Sequence, residues 1–188
     1  MERPLTREEK RSLLRLARET LEARFSGRTL PELDPPDGPL SELRGAFVTL
    51  KKDGQLRGCI GHVAGVEPLW ESVRSNAINA AFSDPRFNPL TADELPAVQI
   101  EISALTPLRE VDSPEHVQVG THGIMIEHGF HRGLLLPQVA TEYAWDRETF
   151  LDYTCRKAGL APGCWKNPTT RIMEFSAEVF AEEPGDTA

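Results

Sequence analysis

Asp53-Gly54 lies between two β-prone runs, Ala46-Phe-Val-Thr-Leu-Lys-Lys52 and Gln55-Leu-Arg-Gly-Cys-Ile-Gly61. A two-residue type I′ turn needs positive φ at both central residues, and Asp-Gly accepts it, so a hairpin is predicted here. Strands joined by so short a turn must be antiparallel. The expected register pairs Lys52 with Gln55, Leu50 with Arg57 and Val48 with Cys59. Side chains alternate faces along a strand, which would put Arg57 and Cys59 on the same face, while Gly58 and Gly61 open the backbone to close approach.

The remaining pattern agrees with an α+β fold built on a mostly antiparallel sheet with flanking helices. Thr6 and Glu9 form a capping-box signature before a helix with Leu13, Leu14, Leu16, Ala17, Leu21 and Phe25 on its apolar stripe and Gly27 as its stop. Pro31 to Pro39, rich in Pro, Asp and Gly, reads as an extended surface connector. Pro68 opens a second helix with a small-residue face of Leu69, Val73, Ala77, Ala80 and Ala81, interrupted by Asn76, a buried amide that needs partners. Thr91 and Glu94 mark a short capped turn, and Val98 to Leu105 alternates as a strand. Pro107 to His116 reads as irregular. A second hairpin is expected from Gly123 to Leu136 with its turn at His128-Gly129, then a short helix over Pro137 to Tyr143. Asp146 caps a longer helix bearing Phe150, Leu151, Thr154, Cys155 and Ala158, and Arg171 to Glu182 reads as one closing strand.

At 188 residues the chain suits one domain, or one domain with a smaller lobe. Its net charge of -8 argues against non-specific binding to nucleic acid or to an anionic membrane, and the basic residues Lys51, Lys52 and Arg57 make only a small patch. The N-terminus is charged from its second residue, unlike a secretory signal, and no apolar run approaches the roughly 18 residues that span a bilayer. Three cysteines without paired spacing suit a reducing compartment better than a disulfide framework, so the chain reads as cytoplasmic.

Cys59 invites chemistry because Arg57 would stabilise a thiolate and His62 would serve as its base. It equally reads as a small buried hydrophobe. Cys155, on an apolar stripe, reads as packing, and Cys155 and Cys164 supply no second pair of metal ligands. His128 and His131 bracket a turn, and His116 and His122 carry no spacing signature, so no metal site is expected. Asp84 and Arg86 fall in a proline-bracketed loop that can satisfy loop amides and hold a guanidinium near an anion. Gln138, Glu142, Tyr143 and Trp145 form a polar and aromatic cluster. Gly58-x-x-Gly61 lacks the third glycine and helix of a phosphate loop, and neither G-x-S-x-G nor H-E-x-x-H occurs. No cofactor is expected.

Four stretches occur in order: Leu56-Arg-Gly-Cys-Ile-Gly61, Ala80-Ala-Phe-Ser-Asp-Pro-Arg-Phe87, Leu136-Pro-Gln-Val-Ala140 with Trp145-Asp146, and Cys155-Arg-Lys-Ala-Gly-Leu160 with Trp165-Lys166. Together they resemble the AMMECR domain family, whose prokaryotic members are called AmmeMemoRadiSam system protein A. The resemblance runs over about residues 7–183 of a single domain and departs from the expected pattern at Asn88. It implies larger and smaller lobes with a cleft bearing the Arg-Gly-Cys strand. It also implies a system shared with a Memo-type protein and a radical SAM protein. The cleft residues it implies are Arg57, Gly58, Cys59, Gly61, Asp84, Arg86 and Gln138. Two functions stay open: a module that binds a small ligand or a partner protein, and a cleft enzyme using Cys59 as a thiolate with His62 beside it.

Overall fold

The structure, a computed structural model, describes residues 3–33 and 38–183. It divides into two compact units, residues 1–105 with 178–188, and residues 106–177. Both are mixtures of helix and antiparallel strand, as the alternating helix and hairpin signals require.

The first unit opens with helix α1, Arg7–Ser26. The capping box forms in full, with the Thr6 hydroxyl accepting from Glu9 N–H and the Glu9 carboxylate accepting from Thr6 N–H. Gly27 ends the helix at φ 67°, a left-handed conformation that glycine adopts without a Cβ penalty. Of the proline-rich connector, residues 34–37 lie outside the described residues. Strands β1 (Ala46–Lys52) and β2 (Gln55–His62) form the expected hairpin, with Asp53 and Gly54 both at positive φ. Helix α2, Leu69–Phe82, uses Pro68 as its N-cap and buries Leu69, Val73, Ala77, Ala80 and Ala81. Strand β3, Val98–Leu105, buries Val98, Ile100, Ile102 and Ala104. Together with Val48 and Leu50 these side chains form one core against α1 and α2.

The closing segment is two strands rather than one. Strands β7 (Arg171–Phe175) and β8 (Ala177–Ala181) are interrupted at Ser176 and join different sheets. The first sheet has the order β2-β1-β3-β8. The break is held by Thr106, whose N–H donates to Ser176 O and whose hydroxyl accepts from Ser176 N–H, both at 2.9 Å.

In the second unit, the segment expected to be irregular contains a short strand, β4 (Arg109–Glu110), paired with β7. Strands β5 (Gly123–His128) and β6 (His131–Leu135) form the second hairpin, and the second sheet runs β4-β7-β5-β6. Its turn is Gly129-Phe130, one residue later than expected, because glycine takes the first central position at φ 60°. His128 and His131 consequently pair across the strands. Helices α3 (Pro137–Glu142) and α4 (Arg147–Lys157) follow, the latter capped by the Asp146 carboxylate. Ile124, Ile126, Phe150, Leu151 and Cys155 are fully buried in a separate core.

Cys155 also forms a disulfide with Cys164, their Cα atoms 5.9 Å apart. This corrects the reading of three unpaired cysteines and removes their support for a reducing compartment. Spacing hid the pair, because Leu160 to Gly163 turn the chain back along α4. No helix among the described residues is long and apolar enough to cross a membrane.

Candidate functional site

Strand β2 is the outer strand of its sheet, so the polar backbone groups along its free edge need partners from elsewhere. At Cys59 the loop after α2 provides them. The backbone N–H of Cys59 donates to Asp84 Oδ2 at 2.9 Å, and its carbonyl accepts from Arg86 Nη2 at 3.2 Å. Asp84 Oδ1 accepts from Arg86 N at 3.1 Å and Arg86 Nε at 3.0 Å, while Arg86 Nη2 donates to Oδ2 at 2.8 Å. The side chain of Asp84 is buried and that of Arg86 is 55% exposed. The Arg86 guanidinium, with the N–H groups of Cys59 and Arg86, holds the Asp84 carboxyl well below the usual carboxylate range, overcoming the opposing effect of burial.

The register of β2 departs from the expected one after two pairs. Lys52↔Gln55 and Lys51↔Leu56 form as expected, but Leu50 pairs with Gly58, leaving Arg57 as the extra residue of a β-bulge. Val48 then pairs with Ile60, and Cys59 with Thr49. The bulge therefore undoes the expected same-face placement of Arg57 and Cys59. Cys59 shares a face with Thr49 instead, and the Thr49 hydroxyl donates to its sulfur at 3.2 Å. Cys59 is a half-buried free thiol rather than a core residue.

Arg57 turns to the loop after α2. Its Nε and Nη2 donate to the Glu94 carboxylate at 3.1 and 2.8 Å, and its Nη1 donates to Asn88 O at 3.0 Å. Glu94 also accepts from Lys52 Nζ at 3.1 Å and Thr91 N–H at 3.2 Å. Arg57, the Thr91 N–H and Lys52 together depress the Glu94 carboxyl far below its ordinary value. Lys51 pairs with Glu101 at 2.8 Å, so each member of the small basic patch is matched by a carboxylate.

The glycines serve close packing. A Cβ on Gly58 would stand 2.1 Å from Ala80 O, so only glycine lets α2 lie this near to β2. A Cβ on Gly61 would meet Ala46 O at 2.3 Å and the Phe47 ring at 2.5 Å.

His62 pairs with Ala46 across the ladder, on the side facing α2. Its Nε2 lies 3.4 Å from Glu67 Oε1 and 3.5 Å from the Asn76 amide nitrogen. The same amide donates to Ala46 O at 3.3 Å, the loop-tying contact that a buried asparagine needs. The odd spacing from Cys59 to His62 puts their side chains on opposite faces, and no hydrogen bond among the described residues joins them. The structure thus gathers Cys59, Asp84 and Arg86 at one point of the edge and takes Arg57 to Glu94. It does not bring thiol and imidazole together. Gln138 lies in the second unit, exposed near the start of α3.

Glu94 was visible in the sequence only as part of a capped turn, and nothing in its spacing signalled a partnership with Arg57. Among the described residues no group of three or more His, Cys, Asp or Glu side chains is placed to hold a metal ion.

An α+β chain with two antiparallel sheets, whose first sheet has an edge strand clamped by an Asp-Pro-Arg loop, defines the structural class. The AMMECR1 family model matches residues 14–180, and the chain belongs to the AMMECR1 family. It is 47% identical over 189 aligned residues to a protein of Methanothermobacter thermautotrophicus, covering 96% of this chain and 97% of that one. A protein of Methanopyrus kandleri is 45% identical, with 95% and 91% covered. The crystal structure of an uncharacterized protein from Pyrococcus horikoshii matches with a TM-score of 0.75 at 40% identity, over 95% of this chain and 94% of that chain.

Proposed function

We propose that the chain is a non-catalytic binding module of an AmmeMemoRadiSam-type system, working in the cytoplasm, whose anionic ligand or partner docks at the Arg86–Cys59 edge of the first sheet. The supporting observation is Arg86 itself. Asp84 fixes its guanidinium beside Cys59 O, yet the side chain stays 55% exposed, so donors remain for a carboxylate or phosphate. Such an anion belongs either to a small molecule or to an acidic segment of the Memo-type or radical SAM protein. Arg57, Gly58 and Gly61 support the strand and Asp84 orients the guanidinium. Gln138 is a candidate contact of the second unit.

Cys59 as a thiolate nucleophile is the rival function, favoured by the Thr49 hydroxyl that donates to its sulfur. His62, turned toward Glu67 and Asn76, does not supply the base.

Calorimetric titration of the purified chain with the Memo-type and radical SAM proteins separates the two. Arg86→Gln is expected to weaken binding about tenfold or more, the worth of one charge-assisted contact. Cys59→Ala is expected to leave binding intact. Both variants are checked for folding by thermal melting. Intact binding by folded Arg86→Gln, or its loss in Cys59→Ala, overturns the proposal.

A further inference from the structure

Almost all the arginines of this acidic chain are partnered within it, by a carboxylate, a carbonyl, a hydroxyl or an aromatic ring. Three are not. Among the described residues Arg7, Arg11 and Arg15 have no hydrogen bond, ion pair or ring contact, and all three are exposed. They stand four residues apart on α1, so about 6 Å of helix separates each from the next and they share one face. Like charges at that spacing repel, and a cation in the first turn opposes the helix dipole. The row therefore weakens α1 and serves no contact inside the chain.

Between Arg11 and Arg15 opens a cavity of about 200 Å³, lined also by Leu14, Arg18 and Glu182. Arg18 is already satisfied, since it donates to Glu182 and to the carbonyls of Leu95 and Val98. The floor is thus a neutralised ion pair beside an apolar side chain, and only the two guanidiniums at the rim have open donors. The volume falls below the roughly 300–1,000 Å³ of small-molecule sites and suits a single side chain.

We propose that this face of α1 docks an acidic α-helix of a partner protein, with carboxylates against Arg7, Arg11 and Arg15 and one apolar side chain filling the cavity over Leu14. Charge and spacing are both complementary, because Asp or Glu residues four apart on any α-helix repeat at the same interval and stay in step along the whole row. A second copy of the chain does not fit, since a two-fold axis on this face would set arginine against arginine. A continuous phosphate track would run against Glu8, Glu19 and Glu22, exposed carboxylates of the same helix. A bilayer would need the apolar stripe of α1, and Leu13, Leu16 and Leu21 are buried. The face shares no residue with the Arg86 edge, so it is a separate contact.

Amide NMR titration of the full chain at low ionic strength tests this with a synthetic alanine-based helical peptide bearing three glutamates four residues apart and a leucine between the last two. Saturable shifts are expected at the amides of Leu14 and Arg15. Replacing the peptide's glutamates by glutamine should weaken binding about tenfold, and Arg11→Gln with Arg15→Gln, at exposed positions outside the core, about fivefold. Arg86→Gln should bind the peptide like the parent. The proposal is overturned if α1 shows no saturable shift, if the glutamine peptide binds equally well, or if the folded double variant binds like the parent. Displacement of the peptide by an equal concentration of a single-stranded DNA oligonucleotide or of inorganic phosphate also overturns it. Residues 184–188 follow Glu182 at the cavity, so a chain stopped after Glu183 is included. A gain in affinity of about tenfold on that truncation would make the chain's own end the occupant and overturn the proposal.

Discussion

Asp84 and Glu94 each gather several donors onto one carboxylate, and both are ionised in the fold at pH values where they would be protonated in the open chain. Unfolded, they titrate near about 3.9 and 4.3. Folded, both lie well below that, so the unfolded state binds more protons in acid. Their stabilisation is therefore complete above about pH 5 and is lost as pH falls through 4 toward the depressed folded values. Asp84→Asn and Glu94→Gln should each be less stable than the parent at neutral pH, and the loss of stability between about pH 5 and 2 should be shallower in both. Urea unfolding at a series of pH values measures the slope, and an unchanged slope would show that these carboxylates do not govern acid sensitivity. Asp84 and Arg86 were legible as a loop-tying pair because an Asp-Pro-Arg turn has few other ways to satisfy its amides. The surroundings of Cys59 were not legible, since a single inserted residue changed its cross-strand neighbour from Val48 to Thr49.

That insertion belongs to the element scale. The turn chemistry of Asp53-Gly54 fixes the hairpin's position, and burial alternation fixes which face of β1 and β3 meets the core. Neither specifies whether an outer strand carries a bulge. Here the bulge serves two demands at once: Gly58 must oppose Leu50 to admit α2, and Arg57 must reach Glu94. The other missed features have the same origin in tertiary partners. Ser176 splits the last strand because Thr106 engages both of its backbone groups, and β4 exists only because β7 pairs with it. Gly58→Ala tests the packing demand. With Ala80 O at 2.1 Å from the new methyl, helix or strand must shift, an overpacking cost of roughly 1–3 kcal/mol. Thermal or chemical denaturation should show that loss. A stability equal to the parent's would mean that α2 has slack against the sheet.

At the scale of the whole molecule, each unit is fastened by a contact that no local pattern announces. In the first unit Arg18, buried on α1, donates through Nε and Nη2 to Glu182 at 2.9 and 2.5 Å and bonds the carbonyls of Leu95 and Val98. Glu182 Oε2 accepts Ile100 N–H as well, so the carboxylate ties the end of the chain to both α1 and β3. In the second unit the Cys155–Cys164 bond closes a loop with a sequence separation of 9. A loop of that size restricts the open chain by about 2–3 kcal/mol, whereas removing one partner of a buried ion pair costs about 3–5 kcal/mol. The tryptophans allow the two effects to be assigned, because Trp70 lies in the first unit while Trp145 and Trp165 lie in the second. Glu182→Gln should lower the unfolding midpoint reported by Trp70 in a chain with both other tryptophans replaced by phenylalanine. Reduction of the disulfide should lower the midpoint reported by Trp145 and Trp165 in a Trp70→Phe chain. Trp165 donates to Asp152 Oδ1 at 2.7 Å, and that same oxygen accepts the backbone N–H of Gly163, so its emission reports the loop that the disulfide closes. If reduction left that midpoint unchanged, the Asp152 contacts alone would be holding the loop against α4.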